Sequence, residues 1–190
     1  TLRQILRRQY RSTYNVGLAL TYGALARELK SSDADVKRVI QGHMVFGAHQ
    51  FLDSDTRYLT MIRDPLDRVV SDYYYVLRTP THDFHDPVAT EDYSLEDYIR
   101  SEITIYTNNL QTRLLSGAGR SVPVGKCTES MLEKAKQNIE NHFDVVGLTD
   151  RFNESVVLMQ RTLGWSVPKY AVRNKTSGRP YRETIPEAAR

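Results

Sequence analysis

The nine residues Arg63-Asp64-Pro65-Leu66-Asp67-Arg68-Val69-Val70-Ser71 stand directly behind the apolar run Tyr58-Leu59-Thr60-Met61-Ile62. The pattern predicts a strand that ends in an arginine and passes into a helix with proline in its first turn. Such a joint points backbone N–H groups and the positive end of the helix dipole away from the helix, which suits a bound phosphate. The Arg63 guanidinium could grip that phosphate bidentately, and the Ser71 hydroxyl, two turns into the helix, could donate to the same anion. A second reading fits equally well: a capped joint in which Arg63 pairs with Asp67. Asp64 and Asp67 are compatible with an anion only if Asp64 caps the helix and Asp67 pairs with Arg68 or Arg63. Of Tyr73, Tyr74 and Tyr75, at least two read as packing residues, leaving one to touch a ligand.

His43 is the second candidate. It follows a predicted strand in Ile40-Gln41-Gly42-His43, where the glycine allows close backbone approach. An imidazole titrating near neutral pH can take a proton from a hydroxyl, although a structural role fits the position alone. His49 suits a structural role or a place at a substrate mouth, and His142, just before a strand, a surface role. His82 and His85 lie three apart beside Asp83 and Asp86, but no third ligand motif completes a metal site, so a solvated loop is expected. Arg173-Asn174-Lys175-Thr176-Ser177-Gly178-Arg179-Pro180 mixes basic and small polar residues in a way that suits a loop folding over phosphates, with a solvated tail as the alternative. Gln111 and Arg113, within Asn108-Asn109-Leu110-Gln111-Thr112-Arg113, could face a second substrate or lie on a helix surface.

The elements that must position these groups follow from periodicity. Leu2, Ile5 and Leu6 recur at helical spacing among Arg3, Gln4, Arg7 and Arg8. Residues 17–30 read as loop and then helix, 36–40 as a short strand, and 42–47 as a glycine-bounded loop. The strand at 58–62 leads into a helix over about 65–77, then a loop over 79–92. Further helices are expected at 95–102, 106–115, from Thr128 to about Ile139, and at 153–163 before Gly164, with another strand at 143–148. Alternating strand and helix signals predict an α/β fold with a mainly parallel sheet.

Composition narrows the class. A chain of 190 residues can bury one core, and 40% hydrophobic with 26% charged residues argues for a globular domain. No apolar run approaches the roughly 18–20 residues that span a bilayer, and the opening residues lack a signal-peptide core. Cys127 is the single cysteine, which excludes an intrachain disulfide and a Cys-based zinc site and fits a reducing, cytoplasmic compartment. A net charge of +3, from 26 basic and 23 acidic residues, favours a local anion site over a nucleic-acid face.

The Arg63–Ser71 stretch resembles the 3′-phosphate-binding motif of sulfotransferases that use 3′-phosphoadenosine-5′-phosphosulfate (PAPS). The resemblance is closest to the branch of heparan sulfate 2-O-sulfotransferases and their bacterial relatives. Gly42-His43, Gly47-Ala48-His49-Gln50-Phe51-Leu52, Asn108 to Arg113, and Phe143 to Phe152 are similar to further segments in the expected order. The resemblance implies one P-loop-like, three-layer α/β domain over residues 1–190. It implies sulfuryl transfer from PAPS to a hydroxyl of a carbohydrate, lipid or small alcohol, with release of 3′,5′-adenosine bisphosphate and no metal. It assigns His43 as catalytic base, Arg63 and Ser71 to the 3′-phosphate, Arg173 and Lys175 to a late basic loop over the cofactor, and Gln111 and Arg113 to the acceptor. The arginine-lysine-glycine triplet of the cytosolic branch does not occur in that late loop. Such enzymes open with a strand and a Pro-Lys-x-Gly-x-Thr-Thr loop for the 5′-phosphosulfate. Thr1 to Leu6 resembles the last threonine of that loop and the helix behind it, so a domain without its first strand and phosphosulfate loop is expected. Two rivals stand beside this reading: a nucleotide-dependent phosphotransferase, for which Asp64 is the magnesium-binding candidate, and a non-catalytic module that binds adenosine bisphosphate.

Overall fold

The computed structural model describes residues 1–10, 13–30, 39–52 and 55–171. In chain order these form α1 (Leu2–Gln9), β1 (Thr13–Ala19), α2 (Tyr22–Lys30), β2 (Val39–Met44), β3 (Tyr58–Ile62) and α3 (Pro65–Arg78). Then come α4 (His85–Thr90), α5 (Leu95–Arg100), α6 (Leu110–Ser116), α7 (Glu129–His142), β4 (Phe143–Leu148) and α8 (Phe152–Leu163). The fold is α/β, as expected, with parallel strands flanked by helices. Among the described residues no helix is long and apolar enough to cross a membrane.

The strand ladder falls into two parallel pairs, β1 with β2 and β3 with β4. Buried side chains join them: Val39 of β2 and Leu59 and Met61 of β3 pack on one cluster built from Ile5, Leu6, Val145, Val156, Met159 and Trp165. A second cluster, Ala19, Leu25, Leu29, Val45 and Ala48, fills the space between α2 and the ends of β1 and β2. Each pair carries a bulge, which adds a residue to one strand and re-aims its neighbours. In β1 the bulge lies between Asn15 and Leu18, opposite Gln41 to His43. In β4 it lies between Phe143 and Val145, and the intervening Asp144 holds Arg57 at 2.8 Å.

Four boundaries differ from the sequence reading. β1 covers residues 13–16, for which the sequence predicts no element, and runs into the expected loop from residue 17, where Gly17 falls within the bulge. β2 runs past the expected end at residue 40, so Gly42 and His43 belong to the strand; the ladder with β1 runs on to Ala19 and Met44, and residues 36–38 of the expected strand lie outside the described residues. α4 forms inside the expected loop at 79–92 because Val88 is fully buried against Tyr73, Val76 and Tyr98. The helix expected over 106–115 is a 3-10 turn at Ile105–Thr107 followed by α6, separated by Asn109 in the left-handed region at φ 53°. Asparagine tolerates that conformation better than most residues.

Candidate active site

Arg63 leaves the carboxyl end of β3, the edge where open α/β sheets take ligands. Asp64 caps α3, its carboxylate accepting from the Asp67 N–H at 3.0 Å, and Pro65 opens the helix. That disposes of the carboxylate that looked out of place beside an anion. The peptides of the joint are held on both sides. Thr149 donates its hydroxyl to the Ile62 carbonyl at 3.1 Å. The Gln111 side-chain amide accepts from the Arg63 N–H and donates to the Arg63 carbonyl, both at 2.8 Å.

α6, which carries Gln111, also reaches the other strand pair. Its Leu114 carbonyl accepts from the Phe46 N–H at 2.7 Å, just beyond β2. One short helix therefore braces the carboxyl ends of β2 and β3 and brings His43 and the Arg63 joint to a common edge. His43 keeps an exposed surface, yet enough protein surrounds its ring that burial is the first cause lowering its pKa. The Arg68 guanidinium lowers it further and the Asp72 carboxylate opposes the shift. An imidazole below its usual range is neutral at pH 7 and ready to accept a proton.

Arg68 and Asp72 stand one turn apart on α3 and both act on His43, whereas the sequence offers Arg68 only as a partner for Asp67 and gives Asp72 no role. The Arg68 guanidinium donates to the Tyr106 carbonyl, and burial lowers its pKa from the usual arginine range. Asp72 accepts from the hydroxyl of fully buried Tyr98 at 2.9 Å. Their spacing of four on a predicted helix was a visible pairing signal, but their partners lie far along the chain.

The remaining candidates fall in different places. Ser71 is half-buried on α3, two turns from its start. Arg173 and Lys175 lie outside the described residues. The chain leading to them is stapled along α1, through Trp165 Nε1 to Tyr10 at 2.8 Å and the Gln9 amide to Ser166. It then reaches Asn153 at the start of α8 through the Tyr170 hydroxyl, at 2.8 Å. α8 begins behind the carboxyl end of β4, so residue 171 is delivered to the same edge as Arg63.

Gln111 and Arg113 do not present their polar groups to an acceptor. Gln111 is engaged with the Arg63 peptide. Arg113 has no exposed surface, and its five N–H groups serve the carbonyls of Asn108, Gly119, Val122 and Pro123 and the Asn108 side chain. Arginine is rarely buried unless so paired, and nothing in the local sequence marks it.

The other histidines separate as well. His49 bonds the Tyr58 hydroxyl at 2.7 Å and stacks on exposed His142, at the opposite ends of β3 and β4. His82 accepts from the Phe84 N–H, while His85 meets Asp86 at 3.1 Å. Tyr73 is buried and donates to the Tyr93 carbonyl, whereas Tyr75 is exposed.

Residues 19–182 match the family described as galactose-3-O-sulfotransferase. Human galactose-3-O-sulfotransferase 2 is 22% identical over 179 residues, covering 84% of this chain and 44% of the human protein. The chain thus spans less than half the length of that curated relative. These similarities support the sulfotransferase reading and name the galactose-3-O group; the heparan sulfate 2-O branch rests on the motifs alone.

Proposed function

Since the chain belongs to the galactose-3-O-sulfotransferase family, we propose that it moves a sulfuryl group from PAPS to a hydroxyl of a sugar acceptor, with galactosides the first class to test. The observation that supports this most directly is the brace of α6, which brings His43 and the Arg63 joint to one edge. In this reading Arg63, the α3 N-terminus and Ser71 hold the 3′-phosphate of the donor. Arg173 and Lys175 are assigned to its phosphates on the resemblance of their basic segment to the late loop of sulfotransferases.

His43 takes the proton of the acceptor hydroxyl at an imidazole nitrogen as the oxygen attacks sulfur. The new oxygen–sulfur bond forms while the bond from sulfur to the 5′-phosphate oxygen breaks, and adenosine 3′,5′-bisphosphate leaves. The protein's contribution beyond the base is positioning and preorganised positive charge around the donor.

The test is sulfuryl transfer by the full-length protein from PAPS to a panel of galactosides, lipids and simple alcohols, with product and bisphosphate quantified together. His43→Ala should lower turnover by roughly 10²–10⁴-fold with bisphosphate affinity nearly unchanged. Turnover within a few-fold of the parent would remove His43 from the chemistry. Absence of transfer to every acceptor, with bisphosphate binding intact, would make the protein a binding module.

A further inference from the structure

The Arg63 backbone is held in a way that local sequence does not require. A residue following an edge-paired strand and preceding a helix ordinarily directs its N–H and C=O to water or to the next strand. Here the side-chain amide of Gln111 supplies both partners at 2.8 Å, as a neighbouring strand would, from a helix 48 residues away in sequence. With Thr149 on the Ile62 carbonyl and Asp64 capping α3, successive peptides from Ile62 into α3 have fixed partners. The direction in which the Arg63 side chain leaves the sheet is therefore set before any ligand arrives.

We propose that Gln111 is the residue that makes the site selective for a 3′-phosphorylated adenine nucleotide, by holding Arg63 in the orientation its guanidinium needs. This rests on the reading above that Arg63 meets the 3′-phosphate. A bidentate arginine gives its full advantage only when its plane and root are fixed, because each bond otherwise requires ordering of a flexible side chain. Gln111 acts through Arg63 and is a positioning residue. An amide suits the task because it offers one acceptor and one donor in the geometry of a peptide, which glutamate, methionine and leucine do not.

The experiment compares adenosine 3′,5′-bisphosphate with adenosine 5′-monophosphate by calorimetry on the full-length protein and two variants. The ratio of the two affinities reports the 3′-phosphate contact alone. Arg63→Ala should reduce the bisphosphate affinity by about 10–100-fold, the size of a charge-assisted contact, and leave the monophosphate within about two-fold. Gln111→Met, similar in size and unable to bond the peptide, should lower the same ratio by about 5–30-fold, since it loosens rather than removes the contact. Gln111→Asn, polar but one methylene shorter, serves if the methionine variant does not fold. A Gln111 variant that keeps the parent ratio while Arg63→Ala loses it would overturn the proposal and leave the phosphate assignment standing. Equal weakening of both nucleotides would show a general structural role and overturn it too. An unchanged ratio in Arg63→Ala would overturn the phosphate assignment itself.

Discussion

Tyr98 donates its hydroxyl to the Asp72 carboxylate at 2.9 Å from a side chain with no solvent exposure, one helical turn beyond Arg68. α5 is thereby tied to the face of α3 that bears on His43. Tyr98→Phe removes the donor and keeps the ring in its cluster with Tyr73, Val76 and Val88. Hydrogen bonds to charged groups contribute about 1.5–3 kcal/mol, and a loss in that range is expected from urea unfolding with an unchanged m-value.

Asp72→Asn separates charge from hydrogen bonding at the same place. The amide oxygen still accepts from Tyr98, so stability should fall less than in Tyr98→Phe. The charge that raises the His43 pKa disappears, leaving burial and Arg68, both of which lower it. A base works when deprotonated, so activity falls as pH drops through its pKa. The acid limb of the parent profile should lie below pH 6.5, and that of Asp72→Asn lower still. A limb moving to higher pH would contradict this electrostatic arrangement.

The same depression has a consequence for stability. His43 and His49 both have folded pKa values below the ordinary imidazole value. Between the folded value and about 6.5 the unfolded chain binds more protons, so acidification across that window destabilises the fold. Burial is the first cause at both positions, with Arg68 adding at His43 and His142 at His49. His49→Gln should flatten the dependence of the thermal midpoint on pH below 6.5, because one of the two groups whose folded pKa is depressed is gone.

The elements whose signals are local were legible in the sequence. Asp64 and Pro65 announce the start of α3, Thr128 that of α7, and Gly164 the end of α8, because caps and breakers act within a turn. The extent of β2 was not legible, since the ladder to β1 decides it and the bulge hides β1 behind Gly17. At the site, Arg63 and His43 stand out by type and place. Arg68 and Asp72 do not, and Gln111 and Arg113 stand out for an acceptor contact rather than for the internal hydrogen bonds they make, because the partners of all four lie elsewhere along the chain or in an irregular loop. Gln111 shows the difficulty most clearly: a glutamine on a predicted helix suggests a surface contact, and its hydrogen bonds to Arg63 appear only once α6 has been placed against β3.

Arg113 should be among the most sensitive positions to substitution. Its guanidinium fork holds the turn at 119–123 through three carbonyls and also holds Asn108, whose side chain in turn accepts from the Gly125 N–H at 3.2 Å. The guanidinium's partners are all neutral carbonyl oxygens, and each one left buried without a donor costs about 1–3 kcal/mol, so several lost together exceed that range. Arg113→Met should show that combined loss in urea unfolding. Arg113→Lys should recover little of it, because an ammonium cannot reach partners spread around a planar fork. Recovery to within about 1 kcal/mol of the parent, the size of a single hydrogen bond, would mean that charge and not geometry is what the loop requires.

The turn that Arg113 holds meets β1 at Gly119, and this contact gives a paired test. Gly119 adopts φ +51°, and a Cβ there would lie 1.9 Å from the Leu20 carbonyl oxygen and 2.6 Å from Val45 Cγ1. The neighbouring Arg120 N–H donates to that same carbonyl at 2.7 Å, so the turn cannot back away without giving up the bond. Gly164 adopts a similar φ of +67° with nothing within 4 Å of its Cβ position. Gly164→Ala should therefore cost only the left-handed penalty, about 1–2 kcal/mol. Gly119→Ala carries that penalty plus a clash with backbone, and should lower stability by at least about 2 kcal/mol more, as overpacking at a rigid contact does. The difference between the two thermal midpoints isolates the clash. Equal midpoints would show that the 119–123 turn moves off the end of β1, and a folded Gly119→Ala protein with altered turnover would show that the move reaches the edge where His43 stands.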